Sequence, residues 1–187
     1  MNRINFRILF FSVTLVSCWL VAFPSKATFN EGVKAFQNKD YEKARKFFEP
    51  LAQKGNANAQ FGLGLLYRNG LGVRKNLRKA YELYKDAAVQ GYAKAQYNLA
   101  ILTLSLAKNN TKFNESDAIA WLKLAAQQDI VRAQYFLGLF YWEGKHGLEA
   151  DDVLAYMWIY LAASNFHPQA ESKLKIIKKR MTVDEIN

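Results

Sequence analysis

Two histidines, one cysteine and a cluster of carboxylates are the residues of this 187-residue chain with the types that metal or acid–base chemistry uses. His146 and His167 stand 21 residues apart, without the His-Glu-x-x-His spacing that sets two zinc ligands and a base on one helix face. Cys18 alone can form neither an internal disulfide nor a cysteine zinc cluster. Glu143, Glu149, Asp151 and Asp152 could meet a cation. They read better as a helix start, with Asp151 or Asp152 as its cap and the others favouring its dipole. Gly62-Leu63-Gly64 lacks the third glycine of a dinucleotide loop and falls inside an apolar helical pattern, where it serves packing. No Gly-x-Ser-x-Gly occurs. The residues therefore offer no catalytic set, no metal site and no cofactor-binding site.

A different chemistry, recognition, is offered by aromatic and basic side chains at recurring intervals. Phe61, Tyr97 and Tyr135 each follow a Gln, and Leu65, Ile101 and Leu139 lie one helical turn on. Arg68 and Trp142 extend the same face, and Asn58, Lys94 and Arg132 flank it. Aromatic and Arg side chains are the usual anchors of protein recognition. The alternative is that the three rings fill spaces between stacked helices. Trp121 and Trp158 lie three residues after Ala118 and Ala155 and read as core. Lys173, Lys175, Lys178, Lys179 and Arg180 fall on the last expected helix. They read as a solvated end face, or as a surface for acidic partners such as anionic lipid headgroups or cell-wall polymers. No stacking or groove-reading motif accompanies this charge, so nucleic acid is not the expected partner.

Elements that repeat must position these residues. The second Ala of Ala57-Asn58-Ala59-Gln60, of Ala93-Lys94-Ala95-Gln96 and of the matching segment at Ala133 recurs at steps of 36 and 38, and Ala170 extends the series by 37. Ala44, Ala80, Ala118 and Ala155 keep the same steps, each seven residues before Leu51-Ala52, Ala87-Ala88, Ala125-Ala126 and Ala162-Ala163. Within each unit the apolar residues fall at i, i+3, i+4 and i+7, the spacing of amphipathic helices. Gly70 and Gly91 suit helix ends, where a left-handed residue is wanted. Small residues at Ala59, Gly64, Ala80 and Ala88 allow helices to approach closely. Thr28-Phe29-Asn30-Glu31 is a capping-box pattern opening a helix through Gln37, and Asp40 caps the next through Gln53. Pro168 suits the first turn of a helix from about Gln169 to Arg180. Helix pairs of this length bury a face by stacking, so the expected fold is all-α, an α-solenoid.

The formal charge is +10, and apolar residues make up 51% of the chain, with 13 Phe, 10 Tyr and 4 Trp, enough to bury a core, which excludes a disordered chain. Residues 1–27 differ from the rest: Arg3 and Arg7, an apolar run from Ile8 to Phe23, then Ser25-Lys26-Ala27. This is the pattern of a secretory signal peptide cut before Thr28. Loss of these residues would leave 160 residues with charge +7 and no Cys. Two alternatives are an uncleaved membrane anchor over residues 8–23 and lipidation at Cys18, since Leu15-Val16-Ser17-Cys18 resembles a bacterial lipobox.

The string Ala57-x-Ala59-Gln60-x-x-Leu63-Gly64-x-x-Tyr67-x-x-Gly70-x-Gly72-Val73, followed by Ala80-x-x-x-Tyr84-x-x-Ala87-Ala88-x-x-Gly91, resembles the Sel-1-like repeat, a variant of the tetratricopeptide helix pair. The resemblance covers roughly residues 28–180. Units fall at about 28–55, 56–91, 92–129 and 130–166, with a capping helix over 167–180. The unit over 92–129 departs from the pattern at Thr103 and Leu106, and Asp129 replaces the closing Gly there, as Phe166 does in the last pair. The resemblance implies a right-handed superhelix with a concave face made mostly by the first helix of each pair. It also implies a non-enzymatic adaptor, and the signal-peptide pattern in front of the repeats makes the expected adaptor one exported by a bacterium, periplasmic or secreted. Its partner would be a peptide or protein, from the envelope or a host, with an acidic segment favoured. The expected binding face is Phe61, Leu65, Arg68, Lys94, Tyr97, Arg132, Tyr135 and Trp142. An envelope hydrolase is the alternative claimed for cysteine-rich relatives, but the mature chain would lack their Cys pairs. A purely structural envelope subunit is a further alternative.

Overall fold

The computed structural model describes residues 26–108, 110 and 112–182, with side chains from Thr28 onward. The signal-peptide pattern up to Ser25, the Cys18 motif and the chain after Thr182 lie outside the described residues. The described residues form α1 (Lys26–Gln37), α2 (Tyr41–Gln53), α3 (Ala57–Asn69), α4 (Leu77–Val89), α5 (Ala93–Ala107), α6 (Glu115–Gln127), α7 (Val131–Glu143), α8 (Asp152–Ser164) and α9 (Ala170–Lys178). No strand is present among them. Each helix packs chiefly against its neighbours in sequence, so the chain is a stack of antiparallel pairs ending on α9.

Local signals fix the helix ends. Asp40, Asn56, Asn76, Asn114 and Asp151 precede α2, α3, α4, α6 and α8, and each accepts a hydrogen bond from a first-turn amide. Each such cap satisfies a donor that the helix leaves free and contributes about 1 kcal/mol. Gly70 and Gly144 close α3 and α7 in the left-handed conformation. Two expectations need correction. Thr28 lies inside α1, as its third residue, so Thr28 to Glu31 is not a capping box. Pro168 stands in the turn before α9, ahead of the Gln169 cap.

The core repeats with the sequence. Ala44, Ala80, Ala118 and Ala155 are fully buried, as are Ala59, Ala95, Ala133 and Ala170. Four residues after each alanine of the first set sits a large side chain: Phe48, Tyr84, Leu122 or Ile159. The partner helix faces it with a small residue. A Cβ at Gly64 would stand 2.6 Å from Tyr84 Cε1, and one at Gly138 would stand 2.5 Å from Ile159 Cγ1. Phe48 is held between two glycines, Gly32 of α1 and Gly62 of α3, with 2.7 and 2.9 Å left for an added Cβ. Full burial of Leu66, Leu99, Leu122 and Leu137 stabilises the stack by roughly 1.5–3 kcal/mol each. Trp121 and Trp158, expected as core, are half-buried: each lies against a cluster while part of its ring meets solvent.

The recurrent Gln is a tie between pairs. Gln60, Gln96 and Gln134 are buried. Their Nε2 atoms donate to the carbonyls of Ala52, Ala88 and Ala126, near the end of the preceding helix, at 3.4, 3.2 and 3.2 Å. Their Oε1 atoms accept from Gln90, Gln128 and Asn165, the C-cap residues of the following helix, at 2.8, 2.8 and 3.4 Å. A buried amide with both functions satisfied escapes the desolvation penalty that would otherwise oppose it.

Candidate functional site

The first helices of the pairs share one face of the stack. Arg68 on α3 donates from Nη1 to Asn98 Oδ1 on α5 at 2.7 Å. Tyr97 on α5 stacks on Phe136 of α7, with ring centroids 6.5 Å apart. Lys173 of α9 lies 4.0 Å above the Trp142 ring of α7. These contacts link α3, α5, α7 and α9, and the expected face residues separate into two regions.

The first region is an open apolar recess of about 230 Å³ between α1, α3 and the start of α5. Phe29, Val33 and Phe36 of α1 form one wall. Phe61 and Leu65 of α3, both half-buried, form the other, and Tyr92 closes one end. The Phe61 ring stands edge-on to Tyr92 at 5.2 Å and tilted against Tyr84 at 5.8 Å. Phe48 and Gly62 are at the floor, where absence of a Gly62 side chain lets the buried Phe48 ring pack against the α3 backbone. Asn58 and Lys94 line the rim, and Lys94 is exposed. The volume is below the roughly 300–1,000 Å³ of small-molecule pockets. It suits an apolar side chain presented by another polypeptide.

The second region is polar and aromatic. Tyr97 is half-buried, with the Arg68 and Arg132 guanidiniums beside it. Burial pushes its hydroxyl pKa up, and the two cations oppose that rise. Burial also raises Tyr92 and Tyr135, and pushes Tyr84 up to about 12 against the pull of Arg68. Tyr135 departs from the expected row: it is 7% exposed, stacked on His167 at 4.0 Å. The turn into α9 folds His167 over it. His167 in turn is held below its ordinary pKa by burial and by the Arg132 charge. Trp142 is covered in part by Lys173 and by Arg180, 5.7 Å from its ring. The face is thus open at Phe61, narrower at Tyr97 and closed at Tyr135.

The remaining candidates have structural roles. His146, between α7 and α8, pairs with Glu115 at the start of α6 at 3.0 Å. Asp151 caps α8, and Asp152 pairs with Arg180 at 3.1 Å. Among the described residues no group of three or more His, Cys, Asp or Glu could hold a metal ion. The sequence reading missed the α1 wall. Its signal was present in the i, i+4, i+7 spacing of Phe29, Val33 and Phe36. It also missed Tyr92, whose repeat place holds Asn56, Ile130 and His167 in the other units.

Four consecutive Sel1 repeats are matched, over residues 29–56, 57–92, 93–130 and 131–165. The chain is 37% identical over 150 residues to DAP3-binding cell death enhancer 1 of Mus musculus, covering 80% of this chain and 29% of that protein. It is 28% identical over 149 residues to chitin synthase regulatory factor 3 of Schizosaccharomyces pombe, covering 79% of this chain and 16% of that protein. The chain thus spans under a third of the length of these curated relatives. A crystal structure of a Sel1 repeat protein from Oxalobacter formigenes superimposes with a TM-score of 0.71 at 31% identity, over 79% of this chain and 60% of that one. Sel1 repeats over most of its length, folded as stacked helix pairs, make this chain a member of the Sel1 repeat family, whose proteins are typically protein-interaction scaffolds.

Proposed function

We propose that the protein is a non-enzymatic scaffold, exported by a bacterium to the periplasm or exterior, that binds a protein segment along the face of α1, α3 and α5. The observation that carries this reading is the open apolar recess with its exposed Lys94 at the rim. An apolar side chain of the partner seats between Phe36 and Phe61. Lys94, Arg68 and Arg132 then favour carboxylates in the flanking sequence and speed the encounter. The mouse relative is named for binding a protein, DAP3, which is the same class of partner. Tyr135 and Trp142 support the face from below and make no direct contact with the partner.

Affinity capture from envelope extract, followed by binding isotherms with the captured segment, tests the reading. Phe61→Ala and Lys94→Glu should each weaken binding by about 1–2 kcal/mol. Lys94 is exposed, so Lys94→Glu should leave the melting temperature unchanged. Undiminished binding by both variants would remove the recess as the site. Export is tested separately by sequencing the N-terminus of the exported form, which should begin at Thr28. A lipidated Cys18 as first residue would make the scaffold membrane-tethered instead.

A further inference from the structure

Six of the eight large apolar side chains that stand exposed among the described residues lie between positions 153 and 176: Val153, Met157, Tyr160, Leu161, Phe166 and Ile176. The first four occupy one face of α8, at i, i+4, i+7 and i+8. This is the outward face, since Ala155, Ile159 and Ala162 on the opposite side are fully buried. The repeat allows a direct comparison with other units. The same four places hold Glu42, Lys46, Glu49 and Pro50 on α2, and Arg78, Glu82, Lys85 and Asp86 on α4. Stack geometry therefore does not require apolar residues there. The turn after α8 continues the surface with Phe166, which is 94% exposed at φ +62°, where other units use Gly55 and Gly91. A bulky side chain in that conformation is uncommon. Contiguous exposed apolar surface of this kind marks an interaction site.

Charge identifies what it meets. Helix α9 runs back along α8, with Lys178 Nζ 5.4 Å from the Tyr156 ring, which stacks on Tyr160 at 6.1 Å. Lys175, Lys178 and Lys179 are exposed, and Glu171 is the carboxylate of that helix. Of the nearby acids, Asp152 is bound by Arg180 and Asp151 is engaged as a cap, while Glu149 stays exposed at the α8 start. Apolar side chains beside an excess of lysines complement an interface of acyl chains beneath anionic headgroups. We infer that the outer face of α8 and the Phe166 turn dock on an anionic lipid bilayer, with Lys175, Lys178 and Lys179 at the headgroups. This surface is separate from the recess, so the two can be occupied together.

The test uses the full chain carrying Cys18→Ser and an environment-sensitive fluorophore at Met157→Cys. The comparison probe sits at Glu82→Cys, the same repeat place on α4. With phosphatidylglycerol-containing vesicles bearing nitroxide-labelled lipids, quenching at position 157 should exceed that at position 82 by about threefold or more. This contrast survives any membrane attachment through residues 8–23, because it reports where the helices lie. Lys175→Glu with Lys179→Glu, both exposed, should abolish the contrast without altering helicity. Phe166→Ser should lower the quenching at 157. Equal quenching at 157 and 82 would overturn the inference. So would protection of the 157 probe that rises with protein concentration in the absence of vesicles, which would assign the face to a second copy.

Discussion

Phe61 and Tyr135 occupy the same place in their repeats, one residue after a buried Gln, yet Phe61 lines an open recess and Tyr135 is sealed. What differs is the residue at the start of the next first helix. Tyr92 meets the edge of the Phe61 ring and leaves the side toward α1 open. His167 lies flat on Tyr135, at an interplanar angle of 16°. Tyr97 lies between these extremes, half-buried against the α5–α7 core and stacked on Phe136. The exposure of a repeat position is therefore decided by the unit that follows it. Identical backbone scaffolds can present an anchor at one end and bury its counterpart at the other.

Substituting the equivalent aromatics breaks this comparison most directly. Tyr135→Ala should cost about 3 kcal/mol or more of folding free energy, as for other buried aromatic truncations. Tyr97→Ala should cost less in a denaturant titration and should weaken partner binding by about 1–2 kcal/mol. Equal stability losses would mean that the two sites are buried alike. The next effect is steric. Gly138→Ala should destabilise by about 2 kcal/mol, because the added methyl meets the backbone oxygen of Ala155 at 3.0 Å as well as Ile159. Ala88→Leu, at a 1% exposed helix contact, should lose about 1–3 kcal/mol by overpacking.

Smaller changes sharpen the contrast between the turns. Asp129 and Phe166 adopt φ near +60°, where Gly55 and Gly91 stand in the earlier units. Phe166→Gly should stabilise by about 0.5 kcal/mol, the relief of the left-handed conformation less the added chain entropy. Asp129→Gly should gain nothing, since it deletes the 3.2 Å bond that Gln134 Nε2 donates to Asp129. Thermal melts of the two variants distinguish them. The smallest effect is a pH dependence at the closed end. His167 has its pKa lowered in the folded state, so the unfolded chain takes up the proton more readily. Its contribution is intact above the ordinary value of 6.5 and is lost as pH falls below it toward the depressed folded value. His167→Gln should flatten that part of the melting-temperature profile.

The fold was legible because packing leaves a signature in residue size. Ala80 and Gly64 recur where a larger side chain would strike the facing helix, so periodicity alone locates the contacts. The recess was less legible for a reason of register. The α1–α2 connection has three residues, 38–40, where the α3–α4 connection has seven, 70–76. The α1 residues consequently fall out of step with the Gln-aromatic landmark, although their own helical spacing is regular. Burial of Tyr135 was not legible from its own unit. It depends on where a turn some thirty residues later places an imidazole ring. Likewise Trp121 and Trp158 share a repeat place with the buried Leu83 and the half-buried Phe47, a place that encloses a leucine but leaves a larger ring partly exposed.

The paired bonds of Gln60, Gln96 and Gln134 bear on how the array comes apart. Each amide bonds backward to one helix pair and forward to its own, so peeling one unit away also breaks a hydrogen bond across the junction. Such a loss costs roughly 0.5–1.5 kcal/mol at each of these junctions, in addition to the apolar surface uncovered. A linear array with strong nearest-neighbour coupling has few partly unzipped states, and its melting becomes a single cooperative transition. The forward tie is longest within the last pair, where Asn165 of α8 reaches Gln134 of α7 at 3.4 Å while Gln90 and Gln128 reach their partners at 2.8 Å. Fraying, and the earliest amide hydrogen exchange within the stack, should therefore begin at α8 and α9.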